Sequence, residues 1–439
     1  MKTVFMIPLL VVISFVGFSC RQDPIPNELL PRFDRILEDP IELTSYKFSD
    51  VTPFKHIALP LEFGSDRFQD SIILKQLENT HIKYITYVYS DFKADPNFEQ
   101  QELNRERLFR LYQSFPDVFD STRTEWNVYE QTEAESELAA KTLFHGFVIH
   151  FRPVATKESM ESEIEYVKTM LDTAIEFIAP ISDSTSLITT VMGEMSDAGE
   201  WMYYEGDVTF GVSDSVYTSD AGTFDYGNYF KDTTVSAVLN RNDHWSKMLI
   251  HCDLTGSMSP YSAQLFVWHR LNMDETKVQH FVFFNDGNSK PDKNKRAGST
   301  GGIYYSRADN FDQLKEEAFK CMRNGGGGDA PENDVEAILS GLKKCEDCGD
   351  IVLVADNWAN MRDYKFIDKV HRPIRIILCG TQFGINKQYL NLARATGGSV
   401  HTIEEDIDHL MDLKEGEEIL ISGQRFVIKS GKFVEIKTI

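Results

Sequence analysis

The chain has 439 residues, 42% of them hydrophobic and 12% aromatic, which is too long for one ordinary core and apolar enough to fill two or three. Its formal charge of −23, from 45 basic and 68 acidic residues, argues against nucleic acid or an anionic membrane surface as partner, since neither carries the opposite sign. Basic ligands and multivalent cations stay compatible, and so does charge that serves solubility alone.

At the N-terminus, Lys2 precedes the apolar run "VFMIPLLVVISFVGF", and polar sequence "RQDPIPNELLP" follows Cys20. The run has the length of a signal-peptide core and is short for a spanning helix. With "VGFSC" at its end, residues 1–20 resemble a bacterial lipoprotein signal, in which cleavage precedes Cys20 and the Cys20 thiol is lipidated. A cleaved signal with an incidental cysteine is the alternative, and both imply export. The lipoprotein resemblance implies a protein held by its lipid in the membrane of a bacterial cell envelope, at the periplasmic face or the cell surface. Residues 21–45 carry four prolines and no long apolar period, and read as a tether.

Residues 46–240 read as an α+β domain. "HIKYITYVYSDF" alternates and is rich in β-branched and aromatic residues, which predicts a strand. "QQELNRERLFRLYQSFPDVF" predicts a helix with Leu103, Leu108, Leu111 and Phe115 on one face, ending near Pro116. "LFHGFVIHFRP" predicts a strand closed by Pro153. In "ESMESEIEYVKTMLDTAIEFI", Met160, Ile164, Val167, Leu171, Ile175 and Ile178 recur at helical spacing. The Gly-, Asp-, Ser- and Tyr-rich stretch 197–229 predicts hairpins or irregular loops, and Trp201, Tyr203 and Tyr204 read as core or surface contacts rather than a cofactor box. No catalytic set assembles in this region.

From Trp245 the rhythm becomes regular. "KMLIHCD", "HFVFFND", "GGIYYS", "DIVLVADN" and "IRIILCG" predict strands. "PYSAQLFVWHRL", "NFDQLKEEAFKCMRN", "PENDVEAILSGLKK", "DYKFIDKVH" and "NKQYLNLARATGG" predict helices, the last capped by Gly397. Nearly continuous apolar strands alternating with helices predict an α/β unit over 241–408, a doubly wound, mostly parallel sheet covered on both faces. Residues 409–439 hold two "SG" turn signals between alternating runs and predict a short β-meander. Cys252 and Cys379 lie in apolar runs and read as buried thiols. "CEDC", at Cys345 and Cys348, reads as a disulfide or free thiols in preference to half a zinc site, because no second CxxC exists.

Ligands on open parallel sheets sit at the carboxyl ends of the strands. There the sequence places "DLTGSM" after the first strand, "NGGGGDAPEND" before a helix, and Asp356 at the end of "IVLVAD". Asp253, Thr255, Ser257, Asp329, Glu332 and Asp356 then converge. Carboxylates and hydroxyls without His or clustered Cys suit a hard octahedral cation, Mg²⁺ before Ca²⁺ or Mn²⁺. Asp253 alone could equally end a strand, with Thr255 and Ser257 capping a helix. The Gly-rich loop could cradle phosphate, but it lacks the Lys-Ser/Thr of a nucleotide loop, and Asp329 and Glu332 would repel an anion. His251 points to the opposite face of its strand and reads as a packed or solvated histidine. Asp286 ends "HFVFFND" at the rim.

"DLTGSM" resembles the D-x-[ST]-x-S opening of von Willebrand factor type A domains, whose metal-ion-dependent adhesion site binds an acidic partner through a cation. Asp356 stands where the family carries an Asp after its fourth strand. "GDAPE" is similar to the integrin β-subunit loop, which makes Glu332 the ligand in place of a Thr and Asp329 the member of a neighbouring cation site. Asp286 is a second candidate for that neighbour, and Thr300 in "GSTGG" a weaker substitute at the Thr position. The resemblance spans about Trp245 to Thr402 and implies a von Willebrand A-like fold. It further implies direct Mg²⁺ contacts from Thr255, Ser257 and Glu332, with Asp253 and Asp356 direct or through water. The implied partner is an unknown protein offering an Asp or Glu, and the implied role is binding without turnover. Two alternatives stand beside it. One is a haloacid-dehalogenase-like phosphotransferase with Asp253 as nucleophile, which "DLTGS" also resembles. The other is a structural module that binds no metal.

Overall fold

The computed structural model describes residues 24–48, 55–77, 80–93, 95, 97–119, 124–153, 156–178, 189–195, 201–207, 225–275, 277–325 and 331–436. The leader, Cys20, the Gly-rich loop and Asp329 therefore lie outside the described residues. Among the described residues, no helix is long and apolar enough to cross a membrane.

The N-terminal sheet has strands β1 (Ile41–Leu43), β2 (Lys55–Pro60), β3 (Thr80–Ser90), β4 (Glu125–Gln131) and β5 (Gly146–Pro153), in the order β1-β4-β3-β5-β2. β4 runs parallel to both β1 and β3, while β5 is antiparallel to β2 and β3. Helices α1 (Leu30–Ile36), α2 (Gln100–Ser114) and α3 (Glu137–Thr142) accompany it. α2 buries Leu103, Leu108 and Leu111 and gives way to a 3₁₀ turn at Pro116–Phe119, as its apolar face and Pro116 predict. The segment 21–45 is not simply a tether. Leu29, Phe33 and Leu37 recur every four residues across α1 and its two caps and bury in the core of this sheet, with Pro31 in the helix's first turn, where a missing N–H costs little. β1 then adds a strand.

A second sheet holds β8 (Met248–Asp253), β9 (Val278–Phe284), β10 (Ile303–Arg307), β11 (Ile351–Asp356), β12 (Ile374–Cys379), β13 (Ser399–His401) and β14 (Asp406–Ile407). Its order is β10-β9-β8-β11-β12-β13-β14, parallel throughout except for the antiparallel edges β10 and β14. Between these strands run α6 (Ser259–Leu271), α7 (Phe311–Asn324), α8 (Asp334–Leu342) and α9 (Lys387–Thr396). Every residue of β8 and β11 is buried, and the side chains divide by parity as a pleat requires. Ile250, Cys252, Val352 and Val354 face the layer of α6 and α7, whereas Leu249, Ile351, Leu353 and Ala355 face that of α8 and α9. The chain is thus mixed α/β with parallel strands at its centre.

One boundary and one predicted helix fall differently from the sequence reading. α4 (Lys157–Ile178) and α5 (Thr234–Arg241) precede residue 241, yet Ile164, Val167, Met170 and Leu171 of the first and Val235, Val238 and Leu239 of the second bury against the second sheet. An apolar stripe reveals that a helix is covered, not by which sheet. The stretch read as helix "DYKFIDKVH" forms only a 3₁₀ turn, Tyr364–Lys369, with none of its residues fully buried and Pro373 close behind. Between α4 and α5, β6 (Thr189–Met195) and β7 (Trp201–Asp207) pair as an antiparallel hairpin, with Trp201, Tyr203 and Tyr204 on β7. The predicted meander is present as β15 (Glu418–Ile421), β16 (Gln424–Lys429) and β17 (Lys432–Ile436), and Phe426, Ile428 and Phe433 seal the α8/α9 layer.

Candidate functional site

The chain runs β8, β9, β10 toward one edge of the second sheet, then crosses to β11 on the other side of β8. That reversal falls between β8 and β11, and it is at the carboxyl ends of the strands beside such a reversal that open parallel sheets bind their ligands. Asp253 ends β8 and Asp356 ends β11, each 1% exposed. Asp253 Oδ1 accepts from the Thr255 N–H at 2.8 Å, folding "DLT" into an Asx turn before α6. Asp356 Oδ1 accepts from the N–H groups of Trp358 at 2.8 Å and Ala359 at 3.3 Å, and its Oδ2 accepts from Ser257 Oγ. This last bond ties the first loop to the second.

A third segment reaches the same place. Glu332 N–H donates to Asn360 O at 2.8 Å, and Arg362 N–H donates to Glu332 O at 2.7 Å, a two-bond bridge that lays Glu332 beside the loop after Asp356. Both carboxylate oxygens of Glu332 are buried without a hydrogen-bond partner, as is Thr255 Oγ1. Burial, and then the charges of Asp253, Asp286, Asp356 and Asp334, push the Glu332 carboxyl well above the usual range. Buried polar atoms in native proteins nearly always find a partner, so an orphaned hydroxyl and an orphaned carboxylate at one sheet edge call for a missing one. Among the described residues no three His, Cys, Asp or Glu side chains form a cluster able to hold a metal ion. An ion here would have to draw on the hydroxyls of Thr255 and Ser257 as well as on carboxylates. Such a donor set, oxygen throughout, fits a hard cation.

Of the residues singled out in the sequence, Asp253, Thr255, Ser257, Glu332 and Asp356 share this edge. Asp286 has another employment. Its Oδ2 pairs with Lys295 Nζ at 2.5 Å and its Oδ1 with Arg362 Nη2 at 3.1 Å, with Asp286 and Lys295 fully buried. Both of its oxygens are thus held by cations of the chain itself. Thr300 is engaged as well: its Oγ1 donates to Arg296 O at 3.2 Å, and its N–H donates to Glu336 Oε2 at 2.7 Å. His251 packs on the opposite face, Nδ1 3.3 Å from Val352 O, and burial lowers its pKa to about 4. Cys345 and Cys348 form a disulfide, and Cys252, Cys321 and Cys379 are buried free thiols.

The sequence reading passed over four residues. Arg362 Nη2 also donates to Pro331 O at 2.9 Å, so the Asp286–Arg362–Lys295 group braces the segment carrying Glu332. Asp334, two residues on in "PEND", has a buried oxygen without a partner, and burial followed by Asp363 raises its pKa well above the ordinary value. α4 brings Glu163 over the first loop: a Cβ on Gly256 would stand 2.6 Å from its Oε1, so a larger residue there would push that carboxylate aside. Proximity to Glu332 in the sequence was a signal for Asp334; Lys295, Arg362 and Glu163 offered none. No family model, curated protein or solved structure matches the chain.

Proposed function

We propose that the carboxyl edge of the second sheet is a divalent-cation site of the metal-ion-dependent adhesion type, in a von Willebrand A-like domain, and that it recognises a carboxylate of a partner protein. In this reading Thr255, Ser257 and Glu332 hold Mg²⁺ directly, and Asp253 and Asp356 hold it directly or through water. A bound cation would supply a positive centre with a coordination position open to an outside Asp or Glu. The observation that carries the reading is the buried Thr255 hydroxyl and the buried Glu332 carboxylate facing no protein donor or cation. The Ser257–Asp356 bond favours it too, by fixing the two loops in mutual register before any ion arrives. The same proposal places the protein in a bacterial cell envelope, exported and anchored through Cys20, so that the site addresses a partner from a membrane surface.

Calorimetric titration of Mg²⁺ into the full chain tests it. Wild type is expected to bind with saturable heat, and Asp253→Ala with Glu332→Ala to show none while keeping its circular-dichroism spectrum. Equal heats from both proteins would overturn the proposal.

A further inference from the structure

Beside the N-terminal sheet, α2 carries a buried charge that makes no ion pair among the described residues. Arg107, on α2, is 1% exposed, and no Asp or Glu pairs with it among the described residues. Its guanidinium donates instead to neutral oxygens: Nε to Ser65 O at 2.9 Å, Nη1 to the Tyr87 hydroxyl at 3.3 Å and Nη2 to Glu62 O at 3.3 Å. Arginine has five N–H groups, so two remain beyond these three bonds. Tyr87 supplies no charge, because burial raises its pKa and its hydroxyl donates to Asn104 Oδ1 at 2.8 Å. His145 supplies none either, burial lowering its pKa. A buried cation left among neutral oxygens is costly, and an anion brought to it offsets that cost.

Arg107 lines a cavity of about 130 Å³ whose other walls are largely apolar: Phe63, Phe92, Phe98, Leu103 and His145. Phe63 and His145 meet edge to face at 5.3 Å. The carboxylate of Asp95, at the rim, is turned to its own loop, Oδ1 accepting from Asn97 N–H at 2.9 Å. A cavity near 150 Å³ lined by apolar side chains is known to take up a single benzene ring. The combination of one buried guanidinium and a ring-sized apolar wall is selective for a small amphiphilic anion, since neither an inorganic anion nor a hydrocarbon uses both parts.

We propose that this cavity is a binding site for a small monocarboxylate with an apolar tail, of about the size of benzoate, its carboxylate on Arg107 and its tail among Phe63, Phe92, Phe98 and Leu103. Charge-assisted pairing with a planar guanidinium gives such a ligand its orientation, and the phenylalanine side chains cover its tail.

Calorimetry on the full chain with sodium benzoate, and with benzyl alcohol as a neutral ligand of the same size, tests the assignment. Benzoate is expected to bind at least about tenfold more tightly than benzyl alcohol. Leu103→Phe, which narrows the cavity and leaves Arg107 in place, is expected to weaken benzoate by a further factor of about ten while unfolding within a few degrees of wild type. Absence of benzoate binding up to about 10 mM, equal affinity for the two ligands, or wild-type affinity in Leu103→Phe would each overturn it.

Discussion

Thr255 shows what a single side chain can report. Its hydroxyl is buried and makes no hydrogen bond, a state that costs about 1–3 kcal/mol. Replacing it by the isosteric Thr255→Val removes that cost, so in EDTA the variant is expected to be as stable as wild type or more stable by about 1 kcal/mol. Excess Mg²⁺ reverses the order under the proposed role, because ligand at a hundred times its Kd adds about 2.7 kcal/mol to the protein that binds it. Thermal unfolding in the two buffers measures both effects; an equal Mg²⁺ shift in wild type and variant would remove Thr255 from the cation site. Asp253, Thr255, Ser257 and Asp356 were legible in sequence because each is fixed by register to the end of an apolar strand. The engagement of Asp286 was not, since one of its cations, Arg362, comes from a loop distant in sequence. Nothing in the local pattern around "HFVFFND" announces such a pairing.

At the scale of elements, α8 crosses the second sheet closely enough to make Gly341 a packing residue. A Cβ there would lie 2.2 Å from His251 Nε2 and 2.9 Å from Val282 Cγ2. Helix propensity favours Ala over Gly by about 1 kcal/mol, but overpacking a buried contact costs about 1–3 kcal/mol, so Gly341→Ala is expected to lower the denaturant midpoint. His269, on α6, offers a second test through pH. Burial, and then Arg270, lowers its pKa to about 4, and its Nε2 sits 2.9 Å from Ala308 O. Between pH 4 and pH 6.5 the unfolded chain therefore binds a proton at this site that the folded chain does not. The neutral form's stability is complete above pH 6.5 and is lost as pH falls toward 4. His269→Gln removes the linkage, so the variant should gain about 2 kcal/mol on wild type between pH 8 and pH 5 in urea unfolding. A pH-independent difference would show that His269 titrates alike in both states. The alternation of strands and helices from β8 to α9 was readable from apolar period, whereas the Tyr364–Lys369 turn was not, because so short a segment shows the same spacing as a helix.

The whole molecule is divided by its cores rather than by its composition. The sequence reading separates residues 46–240 from 241–408, but α4 buries Ile164, Tyr166, Val167, Met170 and Leu171 in the same cluster as β8, β9, β11 and β12. It also sets Glu163 over Gly256 in the loop that opens the candidate site. Burying side chains of this size contributes about 1.5–3 kcal/mol each, so these five together approach the entire net stability of a typical domain, about 5–15 kcal/mol. A fragment of residues 241–436 is therefore expected to show no cooperative thermal transition and to bind hydrophobic dye, while a fragment of residues 157–436 melts cooperatively. Calorimetric melting of the two fragments decides the matter, and a sharp transition in the shorter one near the temperature of the longer would show that α4 merely rests on a finished fold. Because α4 supplies both core and a carboxylate beside the first loop, the longer fragment is also the smallest in which the carboxyl edge of the sheet keeps its surroundings.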